Sequence, residues 1–341
     1  MVTPSTVEVV ICTRNRPQTV TKIALGCLRL QSVRPTRVLV WDASDPAECE
    51  LVESMTRQMH DLNVEYVRAP RKGSASQRND AIACLTSDIV LFIDDDIALP
   101  RDGLEVLRDL LDSHPSASGA QLAIAARRVS SVPPWLRRAY TLYATAMGLE
   151  HPARNQRITR SGAQTGIPCA WPTGLHGHRG VCSVEWLQGG CMAYRLKHIR
   201  AAGLRFDERL QTFGGYALAE DSMFSASLVR RCQSELLWTD QSIAVHLPDR
   251  TSRFANESMA GAVYAFNGLC VWHEMCRTLK GGKMALFRRF VGYALFSLLR
   301  GSPRTVTGMI RGTLEYRRQS YMWHAGASDN DSTCSQHEDL T

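Results

Sequence analysis

The sequence predicts an α/β fold: a doubly wound, mostly parallel sheet with helices on both faces, followed by a C-terminal helical extension. Three observations lead there. Short apolar runs alternate with amphipathic stretches four times within the first hundred residues, which is the pattern of strands joined by crossover helices. The runs are largely apolar, as in VEVVIC at 7–12, where Glu8 is the one polar residue, and IVLFI at 89–93, and such runs suit strands buried on both faces. Each run also stops on polar residues, and a parallel sheet gathers such strand ends along one edge, where open sheets hold ligands.

Taken in order, the strand at 7–12 leads into Thr13-Arg14-Asn15-Arg16-Pro17. Pro17 can open a helix because its missing N–H needs no partner in the first turn. That helix is predicted to reach about Gln31, with Val20, Ile23, Ala24, Cys27, Leu28 and Leu30 mostly on one face. RVLVW at 37–41 is a second strand and ends at Asp42 before the turn ASDP. A helix over 46–60 and a strand over 64–67 follow. Gly73 then begins a polar turn, a helix over 76–85 and the strand at 89–93. This strand ends on Asp94, Asp95 and Asp96. Three adjacent carboxylates repel one another, and a divalent cation relieves that repulsion. Magnesium and manganese take oxygen ligands and share them with a substrate's phosphates. A helix over 104–111 and a strand over 119–126 complete this half.

From about Arg127 the pattern loosens. Residues 130–186 hold Pro133-Pro134-Trp135, Pro152, Pro168 and Pro172, with one helical piece at 136–148. Segments this long and irregular are commonly functional loops or lids. Cys169, His176, His178 and Cys182 fit no common zinc spacing. VEWLQGGCMAYR at 184–195 reads as one strand interrupted by Gly189-Gly190, a bulge or a close approach of backbone to ligand. Phe213-Gly214-Gly215-Tyr216 leads to Glu220 and Asp221, which open a helix over 221–231; acids in a first turn also suit the helix dipole. Strands at 235–238 and 243–246 follow, the second ending at His246. The helix at 284–299 carries Met284, Phe287, Val291, Ala294, Leu295 and Leu298 on one face, and Arg289 and Arg300 on the other. That stripe reads equally as a helix lying on an anionic membrane or one packed on the domain. From about Gly326 the chain reads as a disordered polar tail.

The bulk numbers are those of a globular protein: 341 residues, 44% hydrophobic and 21% charged. Neither G-x-G-x-x-G after the first strand nor G-x-x-x-x-G-K-S/T occurs, so dinucleotide-dependent oxidoreductases and P-loop NTPases fit poorly. The 11 cysteines are scattered without a repeating spacing. With no leader and no bilayer-length apolar run, they imply reduced core residues and a cytoplasmic protein. Net charge is +7, concentrated in 127–160 and 277–318. Such patches attract phosphate-bearing partners.

The order VVICTRNRP, RVLVWDAS, G-x-x-x-x-R-N-x-A (Gly73, Arg78, Asn79, Ala81), FIDDD, QGGCMAYR and AEDSMF resembles the family 2 glycosyltransferases of the GT-A fold, over roughly residues 7–250. The resemblance divides the chain into a glycosyltransferase domain at 1–250, a helical extension at 251–325 and a tail at 326–341. Within the first domain, 7–126 would take the nucleotide sugar and 127–250 the acceptor. It implies a pocket in which Thr13, Arg14, Asn15 and Asp42 line the base and ribose of a nucleoside diphosphate sugar, with Arg78 and Asn79 beside them. Asp94 and Asp95 would approach the ribose and sugar. Asp96, with Asp94 and His246, would hold Mg²⁺ or Mn²⁺. Gly189 and Gly190 would admit the sugar, and Asp221, with Glu220 beside it, would be the catalytic base. The implied reaction is metal-dependent inverting transfer to a sugar, a lipid-linked acceptor or another hydroxyl, in cell-surface polysaccharide or glycolipid assembly. The implied place is the cytoplasm or the inner face of the cell membrane, with peripheral contact and no nucleic-acid partner. The basic patches leave one rival, a non-catalytic GT-A-like binder of nucleic acid or acidic polymer, which would bind in a salt-sensitive way.

Overall fold

Residues 3–126, 134–149, 156–165, 180–213, 218–247 and 256–333 are described by the computed structural model. The aliphatic runs form β1 (Val7–Thr13), β2 (Arg37–Asp42), β3 (Val64–Arg68) and β4 (Ile89–Asp94), paired in parallel in the order β3-β2-β1-β4. The first crossover is helical from Pro17 to Leu28: α1 (Pro17–Thr19), a π-helical stretch (Val20–Leu25) and α2 (Gly26–Leu28). It stops three residues short of the predicted Gln31. The others are α3 (Pro46–Arg57) and α4 (Ser74–Ile82). Side chains of a strand alternate between its faces. Val9, Ile11, Leu91 and Ile93 therefore join the core beneath α3 and α5 (Gly103–Ser113), whereas Val10, Val90 and Phe92 join the opposite core, with α4. Helices cover both faces, as a doubly wound sheet requires.

Beyond β4 the chain makes a two-residue turn, Asp95-Asp96, into the short β5 (Ile97–Ala98). β6 (Ala117–Ala126), α6 (Pro134–Ala146), β7 (Arg157–Ile158) and β8 (Gln164–Thr165) follow. VEWLQGGCMAYR is not one interrupted strand. β9 (Val181–Val184) pairs with β11 (Glu235–His246), and β10 (Cys191–Arg195) inserts antiparallel between β4 and β6. Gly189-Gly190 is the turn before β10, where the Cys191 N–H donates to the Gln188 carbonyl at 3.2 Å. Likewise β11 is a single strand of 12 residues. A register shift between Thr239 and Ile243 produces the break that reads as two strands in the sequence. Among the described residues the sheet order is β3-β2-β1-β4-β10-β6-β11-β5.

α7 (Leu196–Ala201) and α8 (Glu220–Cys232) pack on the α4 side. The extension is α9 (Glu257–Cys276), α10 (Gly282–Leu299) and α11 (Pro303–Thr333). Asn256 caps α9, its side chain accepting the Met259 N–H at 2.9 Å. Leu210, Met223 and Ala226 share a core with Ala262, Phe266 and Cys270, so α9 is docked on α8. α11 and α9 touch backbone to backbone at Gly312, where an added Cβ would sit 2.2 Å from the Ala262 carbonyl oxygen. The last helix runs to Thr333, past Gly326, where the sequence reads as disordered: once a helix is nucleated by packing, each further residue adds a hydrogen bond at little cost. Residues 334–341 lie outside the described residues. No helix among the described residues is long and apolar enough to cross a membrane.

Candidate active site

β1 and β4 lie in register side by side, Cys12 against Asp94, and β2 places Asp42 against Thr13. The polar strand ends thus share one edge of the sheet. β10 adds to that edge, since the Asp94 N–H donates to the Gly190 carbonyl at 3.1 Å.

Arg78 joins the two halves. It lies on α4 and is buried, with its guanidinium 3.2 Å from Asp94 Oδ1 and 3.0 Å from Glu220 Oε1. It also donates to the Gly189 carbonyl at 3.4 Å and lies 5.4 Å from the Phe206 ring centroid. A guanidinium stays charged even when buried, so it needs such company to offset the cost of its desolvation. One guanidinium fork therefore ties the end of β4 to the start of α8, with the turn before β10 between them.

Asp221 sits beside this pair. Its Oδ2 accepts the Gly189 N–H at 2.8 Å and its Oδ1 accepts the Ser222 N–H at 2.7 Å. A Cβ on Gly189 would come within 3.2 Å of Asp221 Oδ2 and 3.6 Å of the Arg78 guanidinium. The glycine is thus what lets α8 and α4 approach. Burial and the neighbouring Glu220 charge push the Asp221 carboxyl up to about 7, against the pull of the two N–H donors and Arg78. Ala219, just before, has φ 76°, a left-handed backbone that costs an alanine about 1 kcal/mol.

The three aspartates have different surroundings. Asp94 keeps its side chain 43% exposed. Burial of its remaining surroundings raises its carboxyl to about 6; Arg78 opposes this, and Asp96, Asp95 and Glu220 add to it. Asp95 is buried, accepting Thr13 Oγ1 at 2.7 Å and pairing with Arg16 at 3.0 Å. Asp96 lies 3.4 Å from His246 Nε2 and 3.4 Å from Arg16. Burial raises its carboxyl, but the bond and charge of His246 and the charge of Arg16 outweigh that, and the net shift is downward. The pairing of His246 with Ile97 across β5 and β11 brings the histidine there.

Among the described residues no group of three or more His, Cys, Asp or Glu side chains is placed to hold a metal by itself. The donors that do meet are a carboxylate and an imidazole, Asp96 and His246, with the open Asp94 carboxylate at the same strand end. A hard divalent cation usually takes only one or two carboxylates from the protein and completes its shell with phosphate oxygens and water. A carboxylate and an imidazole fit such an ion, with its remaining ligands supplied from outside the protein.

Other expected residues are placed elsewhere or engaged in structure. Asn79 clamps the segment before the 3-10 turn Glu208–Gln211, donating to the Phe206 carbonyl and Glu208 Oε1, both at 2.9 Å, and accepting the Phe206 N–H at 2.7 Å. Asp42 is fully buried and accepts from Ser44 and, at 3.1 Å, from the Tyr66 hydroxyl. Asn15, at φ 55°, exchanges hydrogen bonds with Asp45. Arg14 is exposed. A cleft of about 430 Å³ opens over this corner, lined by Ser44, Asp45, Pro46, Arg68, Ala69 and Lys72 among others. Sequence reasoning missed Arg16, which holds Asp95 and Asp96. It also missed Gln77, whose amide donates to the Trp41 carbonyl at 2.7 Å and the Thr13 carbonyl at 3.2 Å. The Arg at the helix start and the polar run before Arg78 were the available signals. Cys169, His176, His178, Gly214, Gly215 and Tyr216 lie outside the described residues.

The family profile described as Glycosyl transferase family 2 matches residues 8–182. No protein of curated function matches the chain in sequence. Among solved structures, S. aureus TarS 1–349 in complex with UDP-GlcNAc is similar at 17% identity, with 89% of this chain and 79% of that chain covered and a TM-score of 0.53. GalNAc-T7 with UDP, GalNAc and Mn²⁺ is similar at 12% identity, covering 86% of this chain and 58% of that one, with a TM-score of 0.54. The mannosyltransferase PcManGT from Pyrobaculum calidifontis, in complex with GDP-Man and Mn²⁺, is similar at 16% identity, covering 99% and 90%, with a TM-score of 0.50. At these identities the likeness is one of fold, the GT-A fold.

Proposed function

The chain belongs to glycosyl transferase family 2, and we propose that it transfers a glycosyl group from a nucleoside diphosphate sugar to an acceptor hydroxyl, with inversion and with Mg²⁺ or Mn²⁺. The single observation that carries this reading is the juncture at Arg78, which holds Asp94 and Glu220 while Asp221 faces the same glycine turn. The nucleotide sugars named with TarS and PcManGT support the donor class.

In this reading the cleft beside Asp45 and Lys72 receives the base and ribose; Asn15 and Asp42 hold its wall residues Asp45 and Ser44 in place, Thr13 and Arg14 stand at the end of β1 beside them, and Asn79 secures the scaffold. Asp96 and His246 would hold the divalent ion, with its other ligands coming from the diphosphate and water; Asp94, expected as a third ligand, is paired with Arg78 instead. When bound, that ion supplies Lewis-acid stabilisation of charge on the departing diphosphate. Asp95, held by Thr13 and Arg16, keeps the turn in place. The bare Cα positions of Gly189 and Gly190 are taken up by Asp221 and Arg78 and by Ile97, so this turn sets the base beside the sugar and does not itself receive it. Asp221 takes the acceptor hydroxyl's proton as that oxygen attacks; a carboxylate lifted to about 7 is well matched to this near neutral pH. Glu220, paired with Arg78, keeps a negative charge beside the base and helps raise it. Attack opposite the leaving group in a single displacement inverts the anomeric centre. The acceptor is a sugar or lipid-linked hydroxyl of cell-surface polysaccharide or glycolipid assembly, met at the inner face of the cell membrane.

The test is a thermal-shift screen of UDP-, GDP- and dTDP-sugars with and without Mn²⁺. A true donor at a hundred times its Kd stabilises the fold by about 2.7 kcal/mol, and the shift should need the metal. No metal-dependent shift with any donor, alongside salt-sensitive binding to heparin or DNA, would replace this reading with the non-catalytic one.

A further inference from the structure

α10 packs inward through a mixed face of Leu286, Arg289, Gly292 and Ser297. Arg289 is buried, donating to the Tyr264 hydroxyl at 2.9 Å and the Ser161 carbonyl at 3.1 Å, and Gly292 and Ser297 face inward with it. The apolar stripe that a packed helix would bury points to solvent instead: Phe287 is 65% exposed and Leu298 52%, with Met284 and Leu295 also exposed. These residues and Val291 recur every three or four positions, so they form one face along the length of the helix.

α6 widens this face. Tyr140 and Tyr143 pack tilted against Phe296, ring centroids 5.2 and 6.3 Å away, and the Tyr143 hydroxyl donates to the Gly292 carbonyl at 2.6 Å. Met147 packs on Gly292 and Gly148 lies by Arg288, so the two helices run antiparallel. With that pairing the helical period turns Trp135 and Leu142, 70% and 73% exposed, to the same side as the α10 stripe. The borders carry exposed Arg138, Lys283, Arg288 and Arg300, and neither helix contains an acidic residue.

We propose that the joint α6–α10 face is a docking surface for an anionic lipid bilayer. The charge decides between occupants. A second copy of this chain would bring the same basic border against itself with no acid to answer it, and like charges oppose such a pairing. An anionic bilayer accepts both parts: the headgroups answer the border, and Phe287, Leu298 and Trp135 enter the boundary between headgroups and acyl chains. The proposal deepens the reading of a membrane-side acceptor, but the docking chemistry does not depend on the donor reaction.

The experiment is sedimentation of the full chain with vesicles of phosphatidylcholine alone and of phosphatidylcholine mixed with phosphatidylglycerol, without donor. The wild type should partition at least about tenfold more strongly onto the anionic vesicles, roughly fivefold for each basic residue near the surface. Phe287→Asp with Leu298→Asp, and separately Lys283→Glu with Arg288→Glu, should each abolish that partition by about tenfold or more. All four positions are exposed, so both variants should keep the wild-type melting temperature and donor-induced thermal shift, which separates lost docking from a failed donor reading. Equal binding to both vesicle types, unchanged partition in the variants, or a dimer that the Phe287/Leu298 variant dissociates would overturn the proposal.

Discussion

Arg78 and Glu220, 142 positions apart in the chain, form an ion pair of 3.0 Å with side chains only 4% and 9% exposed. The same guanidinium holds Asp94 at 3.2 Å. The first half of the chain thus supplies the cation and the second half the carboxylate that fixes where α8 begins.

Arg78→Met should therefore destabilise the fold by about 3–5 kcal/mol, because it leaves Glu220 buried without a counter-charge. The double variant Arg78→Met/Glu220→Gln should regain part of that loss. Chemical denaturation of the three proteins checks both, and equal stability of wild type and single variant would contradict the pairing.

Gly189→Ala probes the crowding at the turn. The added Cβ would meet Asp221 Oδ2 at 3.2 Å, tighter than an ordinary contact, so the carboxylate must shift. Transfer activity should fall about tenfold or more while the melting temperature changes by only a few degrees, since small misplacement of a reacting group is expensive in rate. Kinetics and calorimetry on the same preparation separate the two effects.

Removing the donors that meet at the β5–β11 edge should change metal dependence. Asp96→Ala and His246→Ala should each weaken the apparent Mn²⁺ affinity of the donor complex by about tenfold or more, the size of effect common for groups around a metal. Titrating Mn²⁺ into protein with a non-transferring donor analogue measures this. Unaltered affinity in both variants would place the ion elsewhere.

The Asp221 carboxyl is raised from the ordinary 3.8 to about 7 by burial and by Glu220. Between those values the folded protein binds a proton that the unfolded chain has released, so this group's contribution to stability falls as pH rises from about 4 to about 7. Asp221→Asn removes that term. The melting temperature of the variant relative to wild type should climb across this window and level off above it, on top of a constant offset from the altered bonds to Gly189 and Ser222. A difference that stays flat with pH would mean the carboxyl is not raised.

Much of the fold could be read from the sequence because it is written in hydrophobic period. Strands β1, β2 and β4 are short, largely apolar runs, and the strand ends carry the polar residues that the sheet then aligns. The errors share one cause, long-range pairing. Nothing local says that β10 inserts between β4 and β6 while β9 departs to β11, or that the shift at Thr239–Ile243 lies within one strand. At the site, Asp94, Asp221, Gly189 and Arg78 are brought together, whereas Asn79 is spent on Phe206 and Glu208. A motif marks that a residue matters without saying which way its side chain turns. Arg16 escaped notice because its partners, Asp95 and Asp96, lie about eighty positions away. The α10 stripe is legible in the sequence, but only packing reveals that Arg289 faces inward and Phe287 outward.

The most direct measurement is steady-state transfer by Asp221→Asn beside its donor affinity. With the acceptor's proton left without a base, kcat should fall by about 10²–10⁴ while the metal-dependent donor Kd stays within about twofold of wild type. The wild-type rate should rise with pH up to about 7 as that carboxyl ionises, and the variant should show no such rise. A variant that turns over at the wild-type rate with the same pH profile would contradict the assignment of Asp221 as the base.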